Sequence, residues 1–229
     1  VLALIDGDIV AYRCAASAEA DPVGIALIRA QDSIEQMLAA VGANEYQVWL
    51  SDKRENNYRR LISPDYKANR DNIPKPIHLD AVRQFLLDEW QANVATEQEA
   101  DDALGIEQTK AFEANIKSVI CSIDKDLKQI PGQHYNFVKL EFDEVDVLTG
   151  IRYFYKQLLI GDRSDNILGV HGIGPKKADA ALNGVSHIPD MYEIVRSFYN
   201  NDDNRLLING KLLWIRRKPN EMWEPPVGT

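Results

Sequence analysis

Two rhythms of apolar and polar positions divide this chain. Val1-Leu2-Ala3-Leu4-Ile5, Tyr46-Gln47-Val48-Trp49-Leu50 and Val119-Ile120-Cys121-Ser122-Ile123 are short, β-prone runs. Their length and apolar character predict strands buried in a sheet. Each gives way to acid: Asp6, then Ser51-Asp52, then Asp124. Between these runs the spacing becomes helical. A helix is expected through Ile9 to Ala18. Asp21-Pro22 predicts an N-cap and N1 proline opening a second helix, in which Ile25, Ile28 and Leu38 oppose Asp32 and Glu35. Leu79, Val82, Phe85, Leu86 and Trp90 lie at packing intervals in a helix from His78 to Trp90. A short strand at Asn93 to Thr96 follows, then a helix from Glu99 toward Phe112 or Ala114. A weaker strand around Tyr135 to Val138 precedes a helix from Glu144 to Leu159. The repeated order of strand, acid and helix predicts an α/β domain of three layers with a largely parallel central sheet. In such sheets, sites form at the C-terminal ends of the strands.

Residues 53 to 77 follow neither rhythm. They are basic, carry Tyr58 and Tyr66, and are punctuated by Pro64, Pro74 and Pro76, which reads as a short substrate-facing loop. A solvated loop without a task is the plainer alternative. His78 has no evident ligand set and reads as a structural or surface histidine. Pro189 to Tyr199 and Arg205 to Trp214 are expected helices, separated by the polar turn Asn200 to Asn204. Trp214 and Trp223 either enter the core or stack on bases. Glu224 to Thr229 reads as an exposed tail. The expected organisation is a core over residues 1–160 and a helical region over 161–229 continuous with it.

Composition adds boundaries. The 229 residues are 45% hydrophobic and 27% charged, which suits one large domain or a domain with a small appendage. No apolar run approaches the roughly 18 to 20 residues that span a bilayer, so no membrane association is expected and the chain reads as cytosolic. Cys14 and Cys121 are too few for a disulfide framework and have no zinc-site spacing. The net charge of −9 argues against a generally basic DNA-coating protein. Its distribution is uneven: Lys53, Arg54, Arg59, Arg60, Lys67 and Arg70 fall within one stretch that holds only Glu55 and Asp65 as acids. An acidic centre flanked by basic surfaces suits a polyphosphate substrate.

The acids carry the candidate chemistry. Glu99-Ala100-Asp101-Asp102 places three carboxylates within four residues. Helix N-terminal amides favour acids there, but capping accounts for one carboxylate and not for all three. Asp124 and Asp126 follow the third strand, and Asp162 and Asp165 lie in Gly161-Asp162-Arg163-Ser164-Asp165-Asn166. Asp6, Asp52, Glu99, Asp101, Asp102, Asp124, Asp126, Asp162 and Asp165 together predict one divalent-metal centre built from many segments. Next comes Gly169-Val170-His171-Gly172-Ile173-Gly174-Pro175-Lys176-Lys177-Ala178. Gly169, Gly172 and Gly174 permit close backbone approach, and amides at the helix start would bind a DNA phosphate beside Lys176 and Lys177. A C-cap followed by an ordinary helix is the alternative.

In order, Ile5-Asp6-Gly7-Asp8, Tyr66-Lys67-Ala68-Asn69-Arg70, Glu99-Ala100-Asp101-Asp102, Ser122-Ile123-Asp124-Lys125-Asp126, Gly161 to Asn166 and the glycine-rich run resemble the structure-specific 5' nuclease family. That family includes flap endonucleases, the 5' nuclease domain of bacterial DNA polymerase I and bacteriophage 5'-3' exonucleases. The resemblance covers about residues 1–185. It implies a PIN-like nuclease core, a helix-hairpin-helix-like duplex-binding motif, two Mg²⁺ or Mn²⁺ ions on the nine acids, and a potassium ion on the motif's backbone carbonyls. It further implies a monomer in a bacterial or bacteriophage-infected cell, acting on DNA with a 5' end or on branched, nicked or gapped duplex, with replication or repair proteins as partners. Asp52 is its loosest assignment. One departure stands out: the segment between Arg70 and Glu99 lacks the family's long basic arch, which favours attack at accessible 5' ends, nicks or gaps over threading of long flaps.

The implied reaction is phosphodiester hydrolysis with metal-activated water. Lys67 and Arg70 are the candidates for contacting the scissile phosphate, although both also suit flanking phosphates and Arg70 suits an acid partner. Arg59 and Arg60 join them as a DNA-binding surface. Tyr66 suits either stacking on a terminal base or anchoring a packed loop. The rival readings are a metal-dependent PIN-like ribonuclease, which does not need the glycine-rich clamp, and a non-catalytic DNA-binding scaffold, which does not need the acids.

Overall fold

The computed structural model describes residues 1–226; of the expected tail, Val227, Gly228 and Thr229 lie outside them. Strand β1 (Leu2–Asp6) passes directly into α1 (Gly7–Ser17), because the Asp6 carboxylate accepts the Ile9 amide at 3.1 Å and caps the helix. Helix α2 (Val23–Val41) ends at Gly42, whose φ of 62° closes it in the left-handed region. Next come β2 (Glu45–Ser51), the short helix α3 (Tyr58–Ile62) within the basic segment, α4 (Leu79–Glu89), β3 (Asn93–Ala95), α5 (Ala100–Glu113) and β4 (Ser118–Cys121). They are followed by β5 (Gly132–Asn136), β6 (Glu141–Val145) and α6 (Val147–Ile160). A ribbon of β7 (Gly161–Asp162) and β8 (Ile167–Leu168) leads to α7 (Pro175–Leu182), α8 (Ile188–Phe198) and α9 (Asp203–Leu213).

The main sheet has the order β3-β2-β1-β4-β5-β6. Its first five strands are parallel, and β6 pairs antiparallel with β5. Alternation within each strand feeds two cores. Ala3, Ile5, Val119 and Cys121 face α1, α2 and α4, whereas Leu4 and Ile120 face Leu104, Leu127, Ile130 and Ile215. The parallel pairing aligns the C-terminal ends of β1, β2 and β4, so the acids that follow them emerge on one side of the sheet.

Several expectations change. Pro22, not Asp21, stands at the N-cap of α2, and the helix starts at Val23 with no side-chain cap. The buried stripe of α2 is Ala26, Ala30, Ile34, Met37 and Val41, while Ile28 is 58% exposed; the small alanines let α1 pack closely. Strand β6 has no apolar rhythm because all its residues but Val145 are exposed, so its pairing alone defines it. It takes Glu144 and Val145 from the expected helix, and α6 starts instead where Asp146 accepts the Thr149 amide at 2.9 Å. Cys14 and Cys121 are free and buried, and the His78 ring meets the Asp21 carbonyl at 2.8 Å.

The helical region packs around Phe154, Leu158, Leu182, Met191, Val195, Leu206, Trp214 and Trp223, and buries both tryptophans. This core draws on α6, which precedes residue 161, and Ile215 reaches back to Leu4 under the sheet. That return fits only because α5 carries Gly105. A Cβ there would lie 2.4 Å from the Arg216 carbonyl oxygen. Alanine normally favours a helix by about 1 kcal/mol over glycine, yet overpacking costs about 1–3 kcal/mol and the clash is with backbone. Gly105→Ala is therefore expected to lower the thermal midpoint; an unchanged or raised midpoint would show that the segment moves freely. Among the described residues, no helix is long and apolar enough to cross a membrane.

Candidate metal centre

A cleft of about 440 Å³ opens where the acid-bearing segments meet, lined by Asp101, Asp124, Asp126 and Asp165 with Lys67, Arg70 and Lys125. Asp6 lies buried behind it. One Asp6 oxygen caps α1 and the other accepts the Ser122 hydroxyl at 2.7 Å. Burial, then repulsion from Asp8 and Asp124, pushes its carboxyl up to about 7. Asp101, in the first turn of α5, is raised well above the usual carboxylate range by burial and by Asp124, Asp6 and Glu99. These carboxylates come from three parts of the chain and act on one another electrostatically.

Asp124 also faces a second grouping. It caps the 3₁₀ turn Lys125–Gln129 by accepting the Asp126 amide at 2.8 Å. Asp126 is pushed up to about 7 by burial and by Asp124 and Asp162. One Asp162 oxygen accepts the amide and hydroxyl of Ser164 at 2.7 and 2.6 Å. The other is buried with no hydrogen-bond partner, and Lys125 Nζ stands 3.5 Å away. Asp165 accepts from Arg70 at 2.7 Å and from the Tyr66 hydroxyl at 3.1 Å.

The remaining predicted acids sit differently. Asp102, expected as a ligand, is fully buried on Arg59, whose two terminal nitrogens donate to its two oxygens at 2.6 and 2.8 Å. Arg59 donates also to the carbonyls of Leu212 and Trp214, at 2.8 and 2.7 Å. Being only 2% exposed, it corrects the expectation of a DNA-contacting arginine. Burial disfavours charge on Glu99, but Lys67 and Arg59 overcome this and hold its carboxyl down to about 2. Asp52 turns to the Glu97 amide at 2.9 Å and the Asn56 side chain at 3.2 Å, and does not line the cleft. Tyr66, expected either to stack on a base or to anchor the loop, has its ring in the helical core and its hydroxyl on Glu99 at 2.8 Å.

Arg60 pairs with Asp71 at 2.9 Å. Lys67 adopts φ 55°, a left-handed conformation uncommon outside glycine, and its ammonium binds Glu99 and lies 3.6 Å from Asp165. Gly169 packs against the Ile160–Gly161 backbone, where a Cβ would come within 2.2 Å of the Ile160 carbonyl carbon. Gly172 has φ 76°, and Gly174 is the N-cap of α7 with Pro175 at its start. Lys176 is exposed, and the Lys177 ammonium donates to the Gly172 carbonyl at 2.9 Å. Asp8, Ser122, Lys125 and Ser164 contribute to the site without having been singled out. Asp8 had a legible signal, two positions after Asp6 at the same strand end.

Among the described residues, no three His, Cys, Asp or Glu side chains are already set at metal-holding distances. The donor chemistry nonetheless fits hard divalent cations: every candidate is a carboxylate, several are buried against like charge, and one Asp162 oxygen has no hydrogen bond, only the Lys125 ammonium 3.5 Å away.

A family model described as the 5'-3' exonuclease, N-terminal resolvase-like domain, matches residues 1–156. The chain is 29% identical over 160 residues to flap endonuclease Xni of Shewanella pealeana, covering 64% of this chain and 59% of that protein. It is 30% identical over 146 residues to flap endonuclease Xni of Shewanella oneidensis, covering 59% and 55%. The chain thus spans just over half the length of these curated relatives. In fold it is similar to the bacteriophage T5 5'-exonuclease with bound zinc, at TM-score 0.71 and 18% identity over 93% of this chain and 88% of that one. It is likewise similar to the T5 flap endonuclease in complex with DNA and metal ions, at TM-score 0.68 and 17% identity over 93% and 88%. Because the family match takes in the whole main sheet and the acids at its strand ends, this chain belongs to the family of the 5'-3' exonuclease N-terminal resolvase-like domain.

Proposed function

We propose that this chain is a divalent-metal-dependent nuclease that hydrolyses phosphodiester bonds near DNA 5' ends, nicks, gaps or flaps. The observation that carries the proposal is the cleft in which Asp101, Asp124, Asp126 and Asp165 meet beside Lys67 and Arg70. Asp6, Asp101 and Asp124 would hold one Mg²⁺ or Mn²⁺, and Asp126, Asp162 and Asp165 a second. When bound, such cations activate water and offset charge on the phosphate. Asp102 acts through Arg59 as a positioning residue, and Glu99 holds Lys67 at the rim. Lys67 and Arg70 would meet the substrate phosphate, exchanging their contacts with Glu99 and Asp165 for it.

The sheet supports a PIN-like assignment, and the glycine loop before α7 supports a helix-hairpin-helix-like grip on duplex phosphates. The helical region from residue 161 would serve duplex binding and the preceding residues chemistry. A monomer suffices, since every group invoked lies on one chain. Residues 71–77, between the site and α4, hold neither helix nor strand, which favours accessible ends over long threaded flaps. Replication or repair proteins in a bacterial or phage-infected cytoplasm would be its setting.

Digestion of 5'-labelled nicked, gapped, blunt and flapped DNA, with matched RNA, tests this. Mg²⁺ should yield short 5' products from DNA, and EDTA should abolish them. Preferred cleavage of single-stranded RNA, or duplex binding without metal-dependent cleavage, would overturn the proposal. Lys67→Ala should slow single-turnover cleavage about 10²-fold or more while changing duplex affinity less than threefold. Affinity falling in step with rate would reduce Lys67 to a binding contact.

A further inference from the structure

The hairpin motif of the resembled family implies a potassium ion on backbone carbonyls of the glycine loop, and the loop of this chain does not fit one. A guanidinium already stands there. Arg205 Nη2 donates to the carbonyls of Gly169 at 2.5 Å and Leu168 at 3.2 Å. The Leu168 carbonyl receives a second donor from Asn209 at 2.9 Å, and the Lys177 ammonium holds that of Gly172 at 2.9 Å. Val170 and Gly174 accept backbone amides from Ile173 and Ala178. A monovalent metal ion on the Leu168, Gly169 or Gly172 carbonyls would have to displace these donors, and one on the carbonyls of His171 and Ile173, which accept no hydrogen bond among the described residues, would still sit near a permanent positive charge.

Arg205 is itself held in place. Its backbone amide is capped by Asp202 at 3.1 Å, and its guanidinium lies over the Tyr199 ring, 5.2 Å from the centroid. Tyr199 is anchored in turn by its hydroxyl on the Leu158 carbonyl at 2.6 Å. The guanidinium lines a cleft of about 520 Å³ together with the loop. We infer that Arg205 is the built-in cation of the glycine loop, fixing the loop from α9 so that its grip on duplex phosphates requires no potassium. Arg205 is thus a positioning residue for DNA binding. The loop-fixing part stands on geometry alone, whereas the DNA part rests on the proposed function.

The test has two arms. Amide hydrogen exchange across 169–174, without DNA, should be the same in potassium, sodium and tetramethylammonium chloride at equal ionic strength. Arg205→Ala should speed it about tenfold, the scale of one lost charge-assisted hydrogen bond, and Arg205→Lys should restore part of the protection. Potassium-specific protection in the unaltered protein, or unchanged exchange in Arg205→Ala, would overturn the inference whatever the protein does to DNA. In the second arm, affinity for nicked duplex in Ca²⁺ should be equal in the three salts and fall about tenfold in Arg205→Ala. KM for cleavage should rise with kcat held. Potassium-selective binding would defeat the inference; failure to bind duplex in any salt would defeat the proposed function, leaving the exchange arm to decide on Arg205.

Discussion

Asp124→Asn is expected to lower single-turnover DNA cleavage by about a thousandfold or more, equivalent to roughly 4 kcal/mol of transition-state stabilisation. Asp124 stands between the two carboxylate groupings: it raises Asp6 and Asp101 on one side and Asp126 on the other. Neutralising it would weaken both proposed cation sites while leaving the glycine loop untouched. Duplex affinity in Ca²⁺ should therefore persist within a few fold. The thermal midpoint without divalent ions should hold or rise, because one source of repulsion among buried acids is removed. Asp52→Asn provides the internal contrast, since Asp52 hydrogen-bonds outside the cleft, and should cleave within about twofold of the unaltered protein. Near-normal cleavage by Asp124→Asn would refute the centre, and an Asp52→Asn loss as large as that of Asp124→Asn would relocate it.

The second large effect concerns stability. Arg59 and Asp102 are 3% and 0% exposed at their side chains, and losing one partner strands the other charge without water. Breaking such a pair costs about 3–5 kcal/mol. With about 2–4 °C per kcal/mol in a chain of this size, Arg59→Met should lower the thermal midpoint by roughly 10 °C. Asp102→Asn should also be destabilising, by less, because an amide still accepts from the guanidinium. Arg59→Met with Asp102→Leu should recover part of the loss, since an apolar pair strands no charge. Calorimetry of the three variants reads this directly. Asp102→Asn with an unaltered midpoint and no cleavage would make Asp102 a metal ligand and not a structural anchor.

The reach of the amino-acid pattern shows in these two aspartates. Asp101 and Asp102 are neighbours in one acidic run, where helical spacing puts Asp102 on the face of Glu99 and sets Asp101 somewhat aside, yet it is Asp101 that lines the cleft. The 100° step between successive helical residues sends one into the cleft and the other onto Arg59 of α3. Arg59 and Arg60 separate in the same way: one enters the interior and the other pairs with Asp71 at the surface. Buried charge is especially hard to read locally, because its partner lies far along the chain; Arg59 needs the carbonyls of Leu212 and Trp214.

By itself the sequence determined the elements whose signals are local. Apolar runs such as Val1 to Ile5 gave buried strands, period-matched residues gave helix α4, and Pro175 opened α7. Only tertiary structure decided what depends on contacts between remote residues. It paired the exposed strand β6, turned Asp102 and Arg59 inward, buried the Tyr66 ring, and set the Arg205 guanidinium on the glycine loop. The reason is physical. Strand and helix propensity act over a few residues, whereas burial and charge compensation are settled only when separate segments of the chain come to exclude water together.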